Sequence, residues 1–156
     1  MKSLFEDPYK YVLDTSALID LKRNYPPKIF KGVWDKFNKA CDDLIIISTR
    51  EVLNEINRGS DYLTDWVKDY EKIFFIPTAE ELKLVGLLQD KYPNWIDYNS
   101  DRPSADPFII ASAHFKKLTI LTHELPHKNL PKVAKDYKLE CVTLTQLFEI
   151  EKWEFE

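Results

Sequence analysis

A short apolar strand that runs directly into the start of a helix is encoded by residues 11–19, which read YVLDTSALI. Residues 11–13 favour a buried strand, because aromatic and β-branched side chains pack well in a sheet. Asp14 follows the strand at once, and Leu18 and Leu21 then continue at helical spacing. A strand end, an acid and a helix start therefore coincide, which is the arrangement found at the ligand-binding edge of parallel α/β folds.

The same alternation of short apolar runs and helical patterns continues along the chain. Further strands are predicted at residues 44–47, 73–76, 118–121 and 141–144. These runs are apolar almost throughout, which indicates strands that are buried on both faces, as in a parallel sheet. We therefore expect a doubly wound, three-layer α/β/α sandwich around a mostly parallel five-stranded sheet, with residues 1–156 forming a single domain.

Local signals mark several of the helices between the strands. Ile29, Val33 and Phe37 recur four residues apart and predict one apolar stripe. Two capping boxes are predicted to open helices, at residues 48–51 and 78–81. Residues 108–115 are apolar on most faces, so their helix is expected to be central and buried.

Composition excludes several classes of protein. The 22 basic and 26 acidic residues give a formal charge of −4, which argues against a non-specific nucleic-acid coating protein. With only three glycines, no glycine-rich phosphate loop is expected. No apolar run is long enough for a membrane span, the N-terminus lacks the pattern of a signal peptide, and two cysteines suit no dense disulfide framework. We expect a cytoplasmic protein with reduced thiols.

Four acids are expected to reach the carboxyl edge of the sheet, where helix N-termini also lie. They are Asp14 after the first strand, Glu55 at the border of a buried helical stripe, Asp106 at a helix start before Pro107, and Glu124 after the fourth strand. Each has a simpler explanation: helix capping for Asp14 and Asp106, a solvent-facing helix position for Glu55, and a loop position for Glu124. If Thr15, Ser16 or Ser104 caps instead, the aspartates remain available.

Clustered carboxylates repel one another, so a stable cluster needs a cation. Oxygen ligands without a nearby cysteine favour Mg²⁺ or Mn²⁺. Such ions bind phosphate oxygens, activate water and stabilise the leaving oxygen during phosphodiester cleavage. The acid pattern therefore predicts a metal-dependent nuclease.

The ordered set of motifs resembles the PIN-domain nucleases, and most closely their small prokaryotic VapC-like toxin branch. Residues 11–19 look like the opening motif of that family, and residues 50–56, REVLNEI, look like its second motif, with the ligand at Glu55. Residues 105–113, ADPFIIASA, look like the third motif, with the ligand at Asp106. The family often has a fourth acid just after a strand-ending threonine. Here Thr122 matches, but the acid is Glu124 rather than the usual aspartate.

This resemblance covers nearly the whole chain and implies a parallel sheet, Mg²⁺ or Mn²⁺, endoribonuclease activity, a small antitoxin partner and a homodimer. It implies that Asp14, Glu55 and Asp106 hold one or two metal ions, with Glu124 in the place of the fourth ligand. Cleavage is then expected to leave 5′-phosphate and 3′-hydroxyl ends on RNA. Thr15, Ser16 or Thr122 would hold a ligand or a water molecule in place.

Three other interpretations remain open. Residues 123–127 spell H-E-x-x-H, a zinc-protease string, but they follow a strand and Pro126 disfavours the helix that this motif needs. An aspartyl-phosphate phosphatase also places an aspartate at the end of the first strand, but it usually has a second acid two positions later. This chain has Ser16 there, which argues against that class. A catalytically weak or inactive PIN-like module that binds RNA or protein is the non-enzymatic alternative. Residues 90–103 are a candidate substrate or partner loop, and residues 146–156 a candidate docking helix.

Overall fold

A parallel five-stranded sheet forms the centre of the molecule in the computed structural model, which describes residues 7–59, 62–93, 104–124 and 129–155. The strands found in those residues are β1 Tyr11–Leu13, β2 Ile46–Thr49, β3 Phe74–Phe75, β4 Thr119–Leu121 and β5 Cys141–Val142. Their order is β3-β2-β1-β4-β5, and every pairing is parallel. The expected parallel sheet is confirmed.

This strand order reverses direction next to β1. The chain moves outward on one side through β2 and β3 and on the other side through β4 and β5, so the crevice between β1 and β4 is the topological switch point. Ligands of open α/β folds bind at the carboxyl ends of the strands at such a point. The register pairs Leu13 with Leu121 at the ends of the two strands. The residues that follow them, Asp14 and Thr122, therefore lie side by side.

Helices surround the sheet in the expected three-layer α/β/α arrangement. They are α1 Thr15–Asn24, α2 Lys31–Asp42, α3 Arg50–Asn57, α4 Tyr62–Asp69, α5 Ala79–Lys91, α6 Asp106–Lys116, α7 Asn129–Asp136 and α8 Leu144–Ile150, with a 3₁₀ turn at Glu71–Ile73. Among the residues given above, no helix combines the length and the apolar character needed to cross a membrane.

The core confirms the prediction that the helix around residues 108–115 is central and buried. Helix α6 contacts β1, β2 and β4 and packs against α5, and its residues Ile109, Ile110, Ala111 and Ala113 are fully buried. All three residues of β1 are also buried. The strand that carries Asp14 and the helix that carries Asp106 are therefore anchored in the same core.

The second strand starts two residues later than predicted. Leu44 adopts a left-handed conformation with φ of 58°, and the amides of Leu44 and Ile45 donate to the carbonyls of Cys41 and Ala40 at the end of α2. This hydrogen-bonded reversal removes Leu44 and Ile45 from the strand. The apolar side chain of Leu44 favours a strand. Its backbone conformation is instead set by the turn that ends the preceding helix, α2.

The capping box predicted at residues 48–51 is wrong, whereas the one at residues 78–81 is confirmed. Ser48 belongs to β2, and its Oγ donates to the Leu13 carbonyl at 2.7 Å instead of capping α3. Thr78 and Glu81 cap α5 reciprocally. The apolar stripe of α2 is also narrower than predicted, because Val33 and Phe37 are buried while Ile29 is 74% exposed and lies before the helix.

Candidate active site at the carboxyl edge of the sheet

Asp14 is buried at the switch point and is bound through its carboxylate by two hydroxyl groups. It is 3% exposed, and its amide donates to the Leu121 carbonyl at 2.9 Å. Oδ2 accepts from Ser16 Oγ at 2.6 Å and from Thr122 Oγ1 at 2.7 Å. Asp14 occupies the N-cap position of α1 but makes no side-chain capping bond. The capping explanation therefore does not account for this side chain.

The pKa of Asp14 is raised above its ordinary value. Burial is the largest cause, because it penalises the charged form, and the charge of Glu55 raises the pKa further. The hydroxyls of Ser16 and Thr122 and the Thr15 amide act in the opposite direction. The site therefore holds a carboxylate whose negative charge its surroundings only partly compensate.

Glu55 is half-buried, as predicted, and connects three elements. Its Oε2 accepts from Thr15 Oγ1 of α1 at 2.6 Å, and its Oε1 accepts from the Ala105 amide before α6 at 2.9 Å. Because Thr15 follows Asp14 and Ala105 precedes Asp106, the Glu55 side chain lies between the segments that carry the other two predicted ligands. The interpretation of Glu55 as an ordinary solvent-facing helix residue is wrong.

Asp106 is the first residue of α6 and not its N-cap, which is Ala105. The Asp106 amide donates to Ser104 Oγ at 3.2 Å, so Ser104 satisfies the helix end, as one of the two alternatives predicted. Asp106 itself is half-buried and lies beside the amide that holds Glu55. Its carboxylate is thus not required as the N-cap of this helix.

Glu124 lies in the segment that follows β4 and is tied to the same hydroxyl group as Asp14. Its amide donates to Thr122 Oγ1 at 3.1 Å, and Thr122 Oγ1 is also 3.1 Å from Ser16 Oγ. The charges of Asp14 and Glu124 both help burial to raise the pKa of the Cys141 thiol to about 11. The acids that follow β1 and β4 therefore both lie within electrostatic reach of the Cys141 thiol in β5.

The predicted residues are thus brought to one edge, but not as a complete set of metal ligands. Within residues 7–59, 62–93, 104–124 and 129–155, no three His, Cys, Asp or Glu side chains form a group that could hold a metal ion. In the same ranges, no ion pair joins Asp14 or Glu55 to a basic side chain. Hydroxyl and amide donors hold these carboxylates instead. The all-oxygen donor set suits the chemistry of Mg²⁺ or Mn²⁺, and Asp14 with Glu55 is the electrostatically coupled pair that would help to hold such an ion.

Two features of the edge were not predicted from the sequence. One is the Ala105 amide, which has no sequence signal because every residue except proline carries one. The other is the pair formed by His123 Nδ1 and Asp20 Oδ2, at 3.3 Å, which places an exposed imidazole at the rim. The position of His123 before a predicted ligand could have drawn attention to it.

The zinc-protease string gains no support from the residues that the structure describes. His123 and Glu124 are not helical, and residues 125–127, including the second histidine, lie outside the described residues. Most of the candidate loop, residues 94–103, also lies outside them. The candidate docking helix at residues 146–156 corresponds in part to α8, where Leu144 and Leu147 are buried in the core.

The α/β fold of this chain is shared by solved structures of other proteins. DNA-bound VapBC from Salmonella typhimurium matches with a TM-score of 0.56 at 15% identity, over 86% of this chain and 98% of that chain. VapBC-1 from nontypeable Haemophilus influenzae matches with a TM-score of 0.52 at 17% identity, over 86% and 98%. VapBC2 from Rickettsia felis, bound to a DNA fragment from its promoter, matches with a TM-score of 0.51 at 16% identity, over 85% and 97%. At these identities the likeness concerns the fold alone.

The family is defined at the level of sequence. Residues 11–155 match the model of the family described as Domain of unknown function (DUF4411), and the chain belongs to that family. No curated protein matches the chain in sequence.

Proposed function

We propose that this chain, as one PIN-like domain over residues 1–156, is a Mg²⁺- or Mn²⁺-dependent endoribonuclease. The observation that carries the proposal is the buried Asp14 carboxylate, which lies at the switch point within electrostatic reach of Glu55 and pairs with no basic side chain in the described residues. A buried charge of this kind needs a counter-charge, and a divalent cation supplies it. The same cation can activate water and stabilise the developing charge in phosphodiester hydrolysis.

The residues at this edge have two proposed roles, metal binding and positioning of the metal-binding carboxylates. Asp14, Glu55 and Asp106 would hold the ion, with Glu124 as the fourth ligand. Ser16 and Thr122 fix the Asp14 carboxylate, and Thr15 with the Ala105 amide fixes that of Glu55. When bound, the ion supplies an activated water and positive charge for the phosphate oxygens.

A role as the toxin of a toxin–antitoxin pair is part of the proposal. The fold likeness to three VapBC structures, each extending over nearly the whole length of the matched chain, supports this role. We therefore propose a small antitoxin protein as a partner, self-association as a homodimer, and a cytoplasmic location. A small DNA-binding protein encoded beside this chain would be the expected genetic arrangement.

Cleavage of RNA by matched variants tests the activity. Purified protein is incubated with a fluorescent single-stranded RNA and Mn²⁺, with Asp14→Asn as the test variant and Asp35→Asn as its control. Asp35 is an exposed residue of α2, so its substitution removes the same charge away from the edge. We expect Asp14→Asn to lose at least about 100-fold in rate, because even partners of metal ligands cost about 10–100-fold. Equal cleavage by both variants would exclude the assignment.

A PIN-like binding module without catalysis is the second candidate, favoured by the lack of a ready-made three-member ligand group in the described residues. Titration of Mn²⁺ during thermal unfolding separates the two candidates. Metal binding to the native state raises Tm, and Asp106→Asn should weaken that rise if Asp106 is a ligand. If Mn²⁺ raises Tm at no concentration, either in the unsubstituted protein or in Asp106→Asn, the result would favour the binding module.

A further inference from the structure

A cavity of about 380 Å³ lies beside the acidic edge, at the carboxyl ends of β4 and β5. We call it the side cavity. The described residues that line it come from three places: residues 122–124 after β4, Pro131 of α7, and residues 141–143 with Gln146 at the start of α8. Its volume falls near the lower end of the range of about 300–1,000 Å³ for small-molecule sites. It therefore suits one flat group and not a stretch of polymer.

The side cavity shares a wall with the acidic edge. Thr122, which lines the cavity, donates to Asp14 Oδ2 at 2.7 Å. Cys141 lines the cavity from the β5 side, and its thiol lies within electrostatic reach of both Asp14 and Glu124. A group bound in the cavity would therefore lie next to any phosphate bound at the acidic edge.

The chemistry of the walls favours an uncharged, partly apolar occupant. Pro131, Cys141 and Val142 supply apolar surface, and the described lining includes no Lys or Arg side chain that would attract a phosphate. Glu124 adds a negative charge, which opposes a phosphate further. The His123 ring at the rim is 60% exposed and is held by Asp20 at 3.3 Å, so it offers a flat face. Unstacked RNA bases bind such mixed apolar and aromatic surfaces.

Gln146 supplies a fixed polar group at the cavity. Its side-chain Oε1 accepts from the backbone amide of Thr143 at 2.9 Å, and the backbone amide of Gln146 donates to Thr143 Oγ1 at 3.3 Å. These two hydrogen bonds form the capping box of α8. Because Oε1 is used by the cap, the orientation of the carboxamide is set. The Nε2 group is then the part of the side chain that can donate to a ligand, and base edges carry acceptors for such a donor.

We propose that the side cavity binds one unstacked nucleobase of the RNA, next to the bond that is cleaved, and that Gln146 reads that base. The proposal rests on the ribonuclease function proposed above and adds a site for sequence preference to it. It predicts a preference at one position adjacent to the cleaved bond, carried by the pocket between β4, β5, α7 and α8.

Two readouts test the side cavity independently. In the first, an RNA with randomised positions is cleaved with Mn²⁺ and the ends are sequenced. Gln146→Glu keeps the oxygen acceptor that caps α8 but removes the Nε2 donor. The preference for one base over the others at the position next to the cleaved bond should therefore fall about tenfold, which is the lower end of the effect of one base contact. Thr145→Glu adds the same charge at an exposed position of α8 outside the cavity lining and should keep the preference. Cys141→Leu, which narrows the cavity, should also relax it.

The second readout needs no cleavage. Metal-free ¹⁵N-labelled protein is titrated with each of the four ribonucleoside 5′-monophosphates and, as a control, with inorganic phosphate. We expect amide shifts at Val142, Thr143 and the Gln146 side chain with at least one nucleotide and none with phosphate. A cleaving enzyme whose preference is the same in Gln146→Glu and Cys141→Leu would overturn the side cavity while leaving the nuclease intact. A protein that never cleaves RNA would refute the nuclease, and in that case shifts absent from these residues would refute the cavity as well.

Discussion

Replacing Thr122 by valine removes one hydroxyl group from the centre of the site while keeping the shape of the side chain. Thr122 is 2% exposed and its Oγ1 donates to Asp14 Oδ2 at 2.7 Å. The same oxygen accepts from the Glu124 amide at 3.1 Å. The substitution therefore weakens the support of one buried carboxylate and removes the acceptor of one backbone amide.

The expected loss of stability follows from the kind of hydrogen bond. A hydrogen bond to a charged group contributes roughly 1.5–3 kcal/mol net, and a buried bond to a carboxylate belongs at the upper end. We expect Thr122→Val to lower the free energy of unfolding by about 2–3 kcal/mol at pH 7. For a domain of this size that corresponds to a fall in Tm of about 5–10 °C.

The difference should also depend on pH, with a defined sign. The Thr122 hydroxyl lowers the pKa of Asp14, so its removal raises that pKa further above the ordinary value. The stability gap between the two proteins is therefore complete at a pH above the Asp14 pKa of the variant. It should shrink as pH falls through the interval between the two folded-state pKa values, because the bond then ends on a neutral acid in both proteins.

Thermal unfolding followed by circular dichroism at several pH values measures this gap. Thr119→Val is the matched control, because Thr119 begins β4, the strand that Thr122 directly follows, and makes no side-chain hydrogen bond among the described residues. We expect a fall in Tm for Thr122→Val and almost none for Thr119→Val. Equal Tm values for the two variants, or a gap that widens toward low pH, would refute the assigned role of the Thr122–Asp14 bond.

Three further predictions concern other parts of the fold. Lys116→Met should lower the free energy of unfolding, measured by urea titration, by roughly 3 kcal/mol. The reason is that Glu81 stays buried but loses the Lys116 ammonium, which lies 2.8 Å from its carboxylate. Adding Glu81→Gln to this variant should restore part of the lost stability. Alkylation of native protein at pH 8 should modify Cys141 slowly and Cys41 hardly at all, since Cys41 is fully buried. Burial and, to a smaller extent, the charges of Asp14 and Glu124 raise the pKa of the Cys141 thiol, so Mg²⁺ should speed its reaction by neutralising those charges. No effect of Mg²⁺ on the rate would count against a metal at this edge. Glu55→Gln should keep most of the Tm of the wild-type protein, because the amide oxygen of glutamine can still accept one of the two hydrogen bonds, but it should lose RNA cleavage. Glu55→Ala should lose both stability and cleavage. Full activity of the glutamine variant would contradict metal ligation by Glu55.

The strands and the acids of this protein were predictable from the sequence because their signals are local. An apolar run such as residues 118–121 predicts a strand wherever the chain carries it, since burial on both faces selects β-branched and aliphatic side chains. An acid that directly follows such a run, as Asp14 does, must then lie at the carboxyl edge. The half-burial of Glu55 could likewise be read from its angular position on α3.

The boundaries that were mispredicted are those that depend on a preceding or neighbouring element. Leu44 has the side chain of a strand residue but the backbone of a helix end, because α2 forces the chain to reverse there. Ser48 has the side chain of an N-cap, yet its hydroxyl donates to the Leu13 carbonyl across the sheet. In both cases hydrogen bonds to a different element, the end of α2 for Leu44 and strand β1 for Ser48, accompany a conformation that the local side-chain preference does not predict.

The tertiary structure alone decided which residues support the acids. The strand order places β4 beside β1, and this brings Thr122 to the Asp14 carboxylate across 108 positions of sequence. The Ala105 amide holds Glu55 from a backbone group that has no sequence signal at all. Sequence patterns record which face of an element is buried, whereas the pairing of strand ends and the partners of a buried charge depend on how the elements pack, so only the folded structure could reveal them.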